Sequence, residues 1–210
     1  MKEEDKGTYQ FKNNLKKFFA RSWYILWKDD SFKGWFFSII FLFLFIKFIF
    51  FPLLILITGT PLPLAIVESC SMYHGVSFEE YWRNTGEWYE KNGITKENFL
   101  EFQMKNGFNK GDILLIVGAN PDKIKVGDII IFNANQKYPV IHRVVNLNPI
   151  RTKGDNWRTN PESATFENNI STDQILGKAI FRIVPYAGWI KLIFFEWMKS
   201  PASRGFCSKN

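Results

Sequence analysis

The run Ala65-Ile66-Val67-Glu68-Ser69-Cys70-Ser71-Met72-Tyr73-His74 decides how the chain is read. It begins β-type and apolar and ends in two serines straddling a cysteine, which predicts a short strand that delivers Ser71 at its end. Later runs answer it in order. Ile129–Phe132 is an apolar strand opened by Gly127-Asp128. Pro139-Val140-Ile141-His142-Arg143-Val144-Val145 is a strand carrying one histidine, and Thr152-Lys153-Gly154-Asp155-Asn156 reads as a polar turn. With Ile113–Val117 and residues 177–184 these runs predict a mainly β domain. Asp112 and Asp128 each follow a glycine at a strand start and are expected as turn residues.

Before this run, residues 35–57 are apolar apart from Ser38 and Lys47, long enough for a helix of roughly 35 Å at about 1.5 Å per residue. The stretch is longer than the apolar region of a cleaved signal peptide, and no small-residue cleavage pattern follows before Pro61, so it is expected to stay as a transmembrane anchor. Lys47 near its middle costs about 2.5–3.5 kcal/mol unless it snorkels or meets a partner helix. Pro52 predicts a kink in the second half. Lys12, Lys16, Lys17, Arg21, Lys28 and Lys33 precede the span, and no lysine or arginine separates Lys47 from Arg83. The positive-inside rule therefore predicts a cytoplasmic N-terminal side, with everything from about Gly59 on the outer face of a single-pass cell-membrane protein. Phe18, Phe19, Trp23 and Trp27 among those basic residues suit a helix lying in the membrane interface.

The net charge of +7 does not by itself call for a nucleic-acid partner, because the basic residues form no recognisable nucleic-acid module. The two cysteines, Cys70 and Cys207, argue against a disulfide framework and leave the compartment open. Cys70 is expected to face the core if Ser71 faces a cleft. Between Ser71 and Gly111 the chain turns charged and aromatic. Ser77 and Thr95 read as helix caps, Ser77 with Glu80 as a capping box, and Asn92-Gly93 and Asn106-Gly107 as stops. This predicts a two-helix insertion packed against the core, with membrane contact or substrate gating as the other roles open to it. Residues 186–198 are apolar but too short to span, and are expected as an interfacial or core-packed helix.

A serine hydroxyl attacks a carbonyl when a neighbouring base takes its proton, and the bases on offer are His74 and His142. Taken alone, His142 is as well explained as a structural histidine. In order, however, the pieces Val67-Glu68-Ser69-Cys70-Ser71-Met72, Lys125-Val126-Gly127-Asp128-Ile129-Ile130-Ile131-Phe132, Pro139 to Val145, Thr152 to Asn156 and Leu176-Gly177-Lys178-Ala179 resemble type I signal peptidases. The likeness is to the archaeal and endoplasmic-reticulum type, which uses serine and histidine, and runs over most of residues 61–188.

The resemblance implies a signal-peptidase-like, mainly β fold behind one N-terminal transmembrane helix, to which the caps at Ser77 and Thr95 add a helical insertion. The expected organisation is a basic segment 1–34, an anchor 35–58, a peptidase domain 59–188 with the insertion at about 76–108, and an apolar helix and tail 189–210. It implies a serine endopeptidase that removes signal peptides from exported preproteins, with Ser71 as nucleophile, His142 as general base, Asp155 as the orienting acid and Ser69 as an oxyanion donor. No cofactor or metal is called for. Partners would be signal peptides, the lipid bilayer and other membrane subunits or the translocation channel, and not nucleic acid. The chain departs from the family pattern in three places: Tyr73-His74 replace the usual exit with proline after the nucleophile box, about 35 residues replace a short connection, and Pro161 stands where a second aspartate is usual. The acid behind His142 is therefore open. Asp155 ranks first, and Glu162, Glu167 and the uncharged Asn160 are the alternatives. Two rival readings are a processing protease with narrower clients and a degenerate scaffold that binds signal peptides without cutting.

Overall fold

The computed structural model describes residues 3–208, which divide into two compact units with the boundary between Leu54 and Ile55. In the first unit, α1 (Glu3–Trp27) and α2 (Phe32–Phe45) are joined by a short turn in which Ser31 caps α2 by accepting from the Gly34 amide. A β-carbon on Gly34 would come within 2.4 Å of the Asp29 carbonyl oxygen, so the close approach of turn and helix needs glycine there. A π segment, Ile46–Phe50, follows α2, and α3 (Phe51–Thr58) continues it. The irregularity has a local cause. Pro52 lacks an N–H and cannot continue the i to i−4 ladder, and the Phe51 amide instead reaches back to the Ile46 carbonyl. The kink expected at Pro52 thus takes the form of one widened turn just before it. The helical stretch Phe32–Thr58 is 27 residues, long and apolar enough to cross a membrane. Within it Lys47 lies over the Phe43 and Phe48 rings.

The second unit is a mainly β domain, as expected. Its sheet has six strands, β1 (Leu64–Ile66), β2 (Ile113–Val117), β3 (Ile129–Phe132), β4 (Val140–Leu147), β5 (Ile150–Lys153) and β6 (Ile175–Val184), in the antiparallel order β1-β2-β6-β3-β4-β5. β3 is buried along its whole length, which explains why Ile129-Ile130-Ile131-Phe132 shows no polar alternation. One face of the sheet packs Leu114, Ile116, Ile129, Ile131 and Ala179 with Val67, Met72 and Phe108. The other packs Ile130, Phe132 and Val144 with Ile124 and Ile170.

Two elements differ from the sequence reading. The strand before Ser71 is only three residues long, so Ser69 to Ser71 lie in a turn in which the Tyr73 amide donates to the Cys70 carbonyl. Thr152 and Lys153 belong to β5 rather than to the turn, because their alternation with Ile150 was hidden by polar side chains that the fold buries. The Asp112 and Asp128 carboxylates do close turns, accepting from the Asn109 and Lys125 amides three residues back.

The insertion forms α4 (Phe78–Lys91) and α5 (Lys96–Glu101). Ser77 accepts from the Glu80 amide, and a full reciprocal capping box is built by Thr95 and Asn98 at α5. Tyr81, Tyr89 and Phe99 are fully buried and pack with Ile94 and Val145, so the insertion is part of the core. Phe99 touches rings of Phe78, Tyr81, Trp82, Tyr89 and Phe102. Truncating it to alanine is expected to cost about 3–5 kcal/mol. Urea denaturation of the detergent-solubilised chain measures this, with earlier proteolysis of residues 78–101 as the local signature.

Candidate active site

β4 places His142 opposite Ile130 of β3, with its side chain almost fully buried. Its Nδ1 lies 2.5 Å from Glu167 Oε1, an acid fixed at the end of a 3-10 turn (Thr165–Glu167). Glu167 is held further by two hydrogen bonds and by burial. The Thr152 hydroxyl donates to Oε1 at 2.9 Å, the Ala164 amide donates to Oε2 at 2.9 Å, and the side chain is fully buried. Burial alone would raise the Glu167 carboxyl, but the hydrogen bond and charge of His142, with the Ala164 and Thr152 donors, hold it below the usual range. An ionised carboxylate on Nδ1 fixes the tautomer with Nδ1–H toward Glu167 and leaves Nε2 as the basic nitrogen.

Ser71 lines the same cavity as His142, a groove of about 610 Å³ whose walls include Leu64, Ile66, Val67 and Ile141. Its hydroxyl is 3.0 Å from the Ser69 hydroxyl. Among the described residues Ser71 and His142 are not hydrogen-bonded to each other. The Ser71 main chain is held from its carbonyl side: the Asn156 amide donates to the Ser71 carbonyl at 2.8 Å, and Asn156 Nδ2 donates to the Cys70 carbonyl at 2.9 Å. Gly154 permits this contact, since a β-carbon there would sit 2.8 Å from the Ser71 oxygen. No backbone acceptor takes the Ser71 N–H among the described residues, which leaves that donor free to meet an anion.

Asp155 is brought to a different partner. It is fully buried and receives Arg143 Nη2 at 2.7 Å and Nε at 3.0 Å, with His74 Nε2 at 3.2 Å and the Tyr89 hydroxyl at 3.2 Å. Burial opposes its ionisation, but Arg143 and His74 outweigh it and hold the carboxyl far below the usual range. The structure therefore puts Glu167, not Asp155, on His142. The reason is the alternation of β4: His142 and Arg143 are neighbours on opposite faces, and each takes the carboxylate on its own side. Glu162 lies exposed in the preceding loop, and Asn160 packs on Gly154. A local sign of Glu167 was present, because Ala164-Thr165-Phe166-Glu167 has an acid at the third position of a helical turn, where it can bond back to the first amide.

His74 is occupied elsewhere, stacked on Tyr81 at 3.7 Å between ring centres and bonded to Asp155. Tyr81 donates to Tyr89, which donates to Asp155; burial and the Asp155 charge push both phenols up, keeping them neutral donors. Beside them burial pushes the Lys153 ammonium down to about 8, against the opposing pull of Asp155 and Glu167. It donates to the Gly154 carbonyl and lies over the Trp88 and Tyr89 rings. Cys70 does not face the core as a free thiol. It is disulfide-bonded to Cys207, 137 residues away, a pairing that two cysteines so distant in sequence did not announce. Among the described residues no group of three or more metal-ligating side chains occurs.

No family model matches the chain. Among curated proteins, the match is to a catalytic subunit. The chain is similar to the signal peptidase complex catalytic subunit SEC11C. The match to this protein of Homo sapiens, Canis lupus familiaris and Mus musculus is 26% identical over 110 residues in each case. It covers 48% of this chain and 57% of theirs, so it spans a little over half the length of these relatives.

Because the Asp155 carboxyl is held below its unfolded value, the stability it contributes is complete above about pH 4 and is lost as pH falls toward the lowered value. Arg143→Met strands Asp155 and is expected to cost about 3–5 kcal/mol at pH 7. Urea denaturation across a pH series checks this, and the acid limb of the stability curve should flatten in the variant.

Proposed function

We propose that the chain is a membrane-anchored serine endopeptidase that removes signal peptides from exported preproteins, with Ser71 as nucleophile, His142 as general base and Glu167 as the acid behind it. The observation that carries the reading is the His142–Glu167 bond at the wall of the groove that holds Ser71. In it, Nε2 of His142 takes the Ser71 proton as Oγ attacks the scissile carbonyl, and Glu167 stabilises the imidazolium that forms. In this reading the Ser71 N–H and the Ser69 hydroxyl, which is 3.0 Å from Ser71 Oγ, donate to the developing oxyanion. Collapse of the tetrahedral intermediate releases the new amine, protonated by His142, and water then hydrolyses the acyl-enzyme by the same exchange. Asp155 acts at a distance, as part of the buried frame that holds His142's strand and the Ser71 loop.

Strand pairing supports a peptide substrate. β1 is an edge strand bonded only to β2, and β5 pairs with β4 from Arg143 onward, so Val140 to His142 keep an outer edge that β5 does not cover. An extended segment lying between these edges gains backbone hydrogen bonds on both sides, and the apolar walls accept small side chains. The Phe32–Thr58 helix ends 13 residues before Ser71, a short tether that suits a substrate emerging at a membrane. An anchor in the lipid, the preceding residues on the cytoplasmic side and the β domain outside is the arrangement the charge distribution favours. The partners in this reading are signal peptides, the bilayer and other membrane subunits.

Ser71→Ala is expected to abolish cleavage of a signal-peptide-bearing preprotein by the detergent-solubilised chain with its melting temperature retained, and His142→Ala to abolish cleavage while lowering the melting temperature, because it strips the buried Glu167 carboxylate of a partner. Glu167→Gln should lower kcat by about 10²–10⁴-fold, whereas Asp155→Asn should act first on stability. Gel assay of product alongside thermal denaturation separates the two, and cleavage surviving in Ser71→Ala would refute the assignment.

A further inference from the structure

The segment after β6 does not rest on the domain as an ordinary packed tail. Leu192 is buried, but Ile190, Ile193, Phe194, Trp197 and Phe206 are each at least 66% exposed, so little apolar burial holds residues 193–207 down. Specific ties hold them instead. Lys199 Nζ donates to the Glu68 carbonyl at 2.9 Å, and Lys191 Nζ lies 3.4 Å from the Glu68 carboxylate. The buried Lys110 ammonium donates to Glu196 and to the Ser203 carbonyl, both at 2.7 Å. The Trp189 and Phe206 rings meet at 4.4 Å between centres. The last tie is covalent, from Cys207 to Cys70.

Three of these ties converge on one place. Glu68 and Cys70 are the residues three before and one before Ser71, and Lys191 and Lys199 themselves line the Ser71 groove. On its other side the same loop hangs from Asn156 through the Cys70 and Ser71 carbonyls. The Ser71 turn is thus gripped between Asn156 and a segment whose other anchor is Lys110.

We propose that residues 189–207 are a positioning strap for the nucleophile loop, held by the Cys70–Cys207 disulfide and the Lys199 to Glu68 bond, and that reducing the disulfide releases the loop and lowers turnover. The step is an exchange with a dithiol: the reductant gives two electrons and two protons, the sulfur–sulfur bond breaks to two thiols, and the dithiol becomes a disulfide. The effect on turnover rests on the function proposed above. The effect on the loop does not.

The test compares oxidised and dithiothreitol-reduced full-length chain in detergent, with Cys207→Ser, Lys199→Met and Lys199→Arg variants. Hydrogen–deuterium exchange at residues 69–73 should rise by about tenfold on reduction and in Cys207→Ser, with β3 and β4 unchanged. On a preprotein substrate kcat should fall by about tenfold or more with KM nearly unchanged. Reoxidation should restore the reduced wild type but not Cys207→Ser, and Lys199→Arg should retain the activity that Lys199→Met loses. Unchanged exchange on reduction overturns the strap, whether or not the protein cleaves, and so does raised exchange with kcat intact. An oxidised wild type that cuts no preprotein overturns the proposed function instead, while the exchange data still judge the strap.

Discussion

A fully buried guanidinium has five N–H donors to satisfy, and Arg143 meets that demand by drawing together parts of the chain that are far apart in sequence. Two donors go to Asp155, two to the Gln103 and Gly127 carbonyls and one more to the Met104 carbonyl. The Phe99 and Phe102 rings lie against its plane. A buried charge left short of partners costs several kcal/mol, so the end of the insertion, the turn before β3 and the loop after β5 are constrained to meet at one point. Asp155 passes the constraint on through His74 and Tyr89. The residues on either side of the groove, His142 beside Arg143 and Ser71 three before His74, inherit their positions from this centre.

The centre also explains which parts of the molecule could be read from sequence. Strands whose apolar residues run unbroken, Ile113–Val117 and Ile129–Phe132, lie where their composition puts them. The caps at Ser77 and Thr95 bounded the helices because a hydroxyl before a helix has a local job. β5 was hidden because Thr152 and Lys153 are polar yet buried, and their reason for burial, the Glu167 carboxylate and the Trp88 and Tyr89 rings, lies elsewhere in the chain.

The acids illustrate the same limit more sharply. Asp155 sits in a motif-like turn and Glu167 in the loop that follows, and nothing local says which histidine or arginine each will find. That choice is made by strand alternation at positions 142 and 143, together with a loop of 11 residues between Asp155 and Glu167 that brings the second acid back to the opposite face. The Cys70–Cys207 pairing was hidden for a similar reason, since its partners approach only once the segment after β6 has turned back over the Ser71 loop.

The edge formed by β1 is three residues long. An edge of that length offers too few hydrogen bonds to recruit another sheet, which protects a domain whose groove is apolar from pairing with its own copies. It also limits what a bound peptide can gain. Only about three residues are rewarded for being extended, at about 1 kcal/mol for each net hydrogen bond. A helical segment entering the groove would have to give up its own ladder over about one turn to make those bonds. In the proposed function the groove would thus discriminate by local helix stability as well as by side-chain size, against sequences that unwind reluctantly.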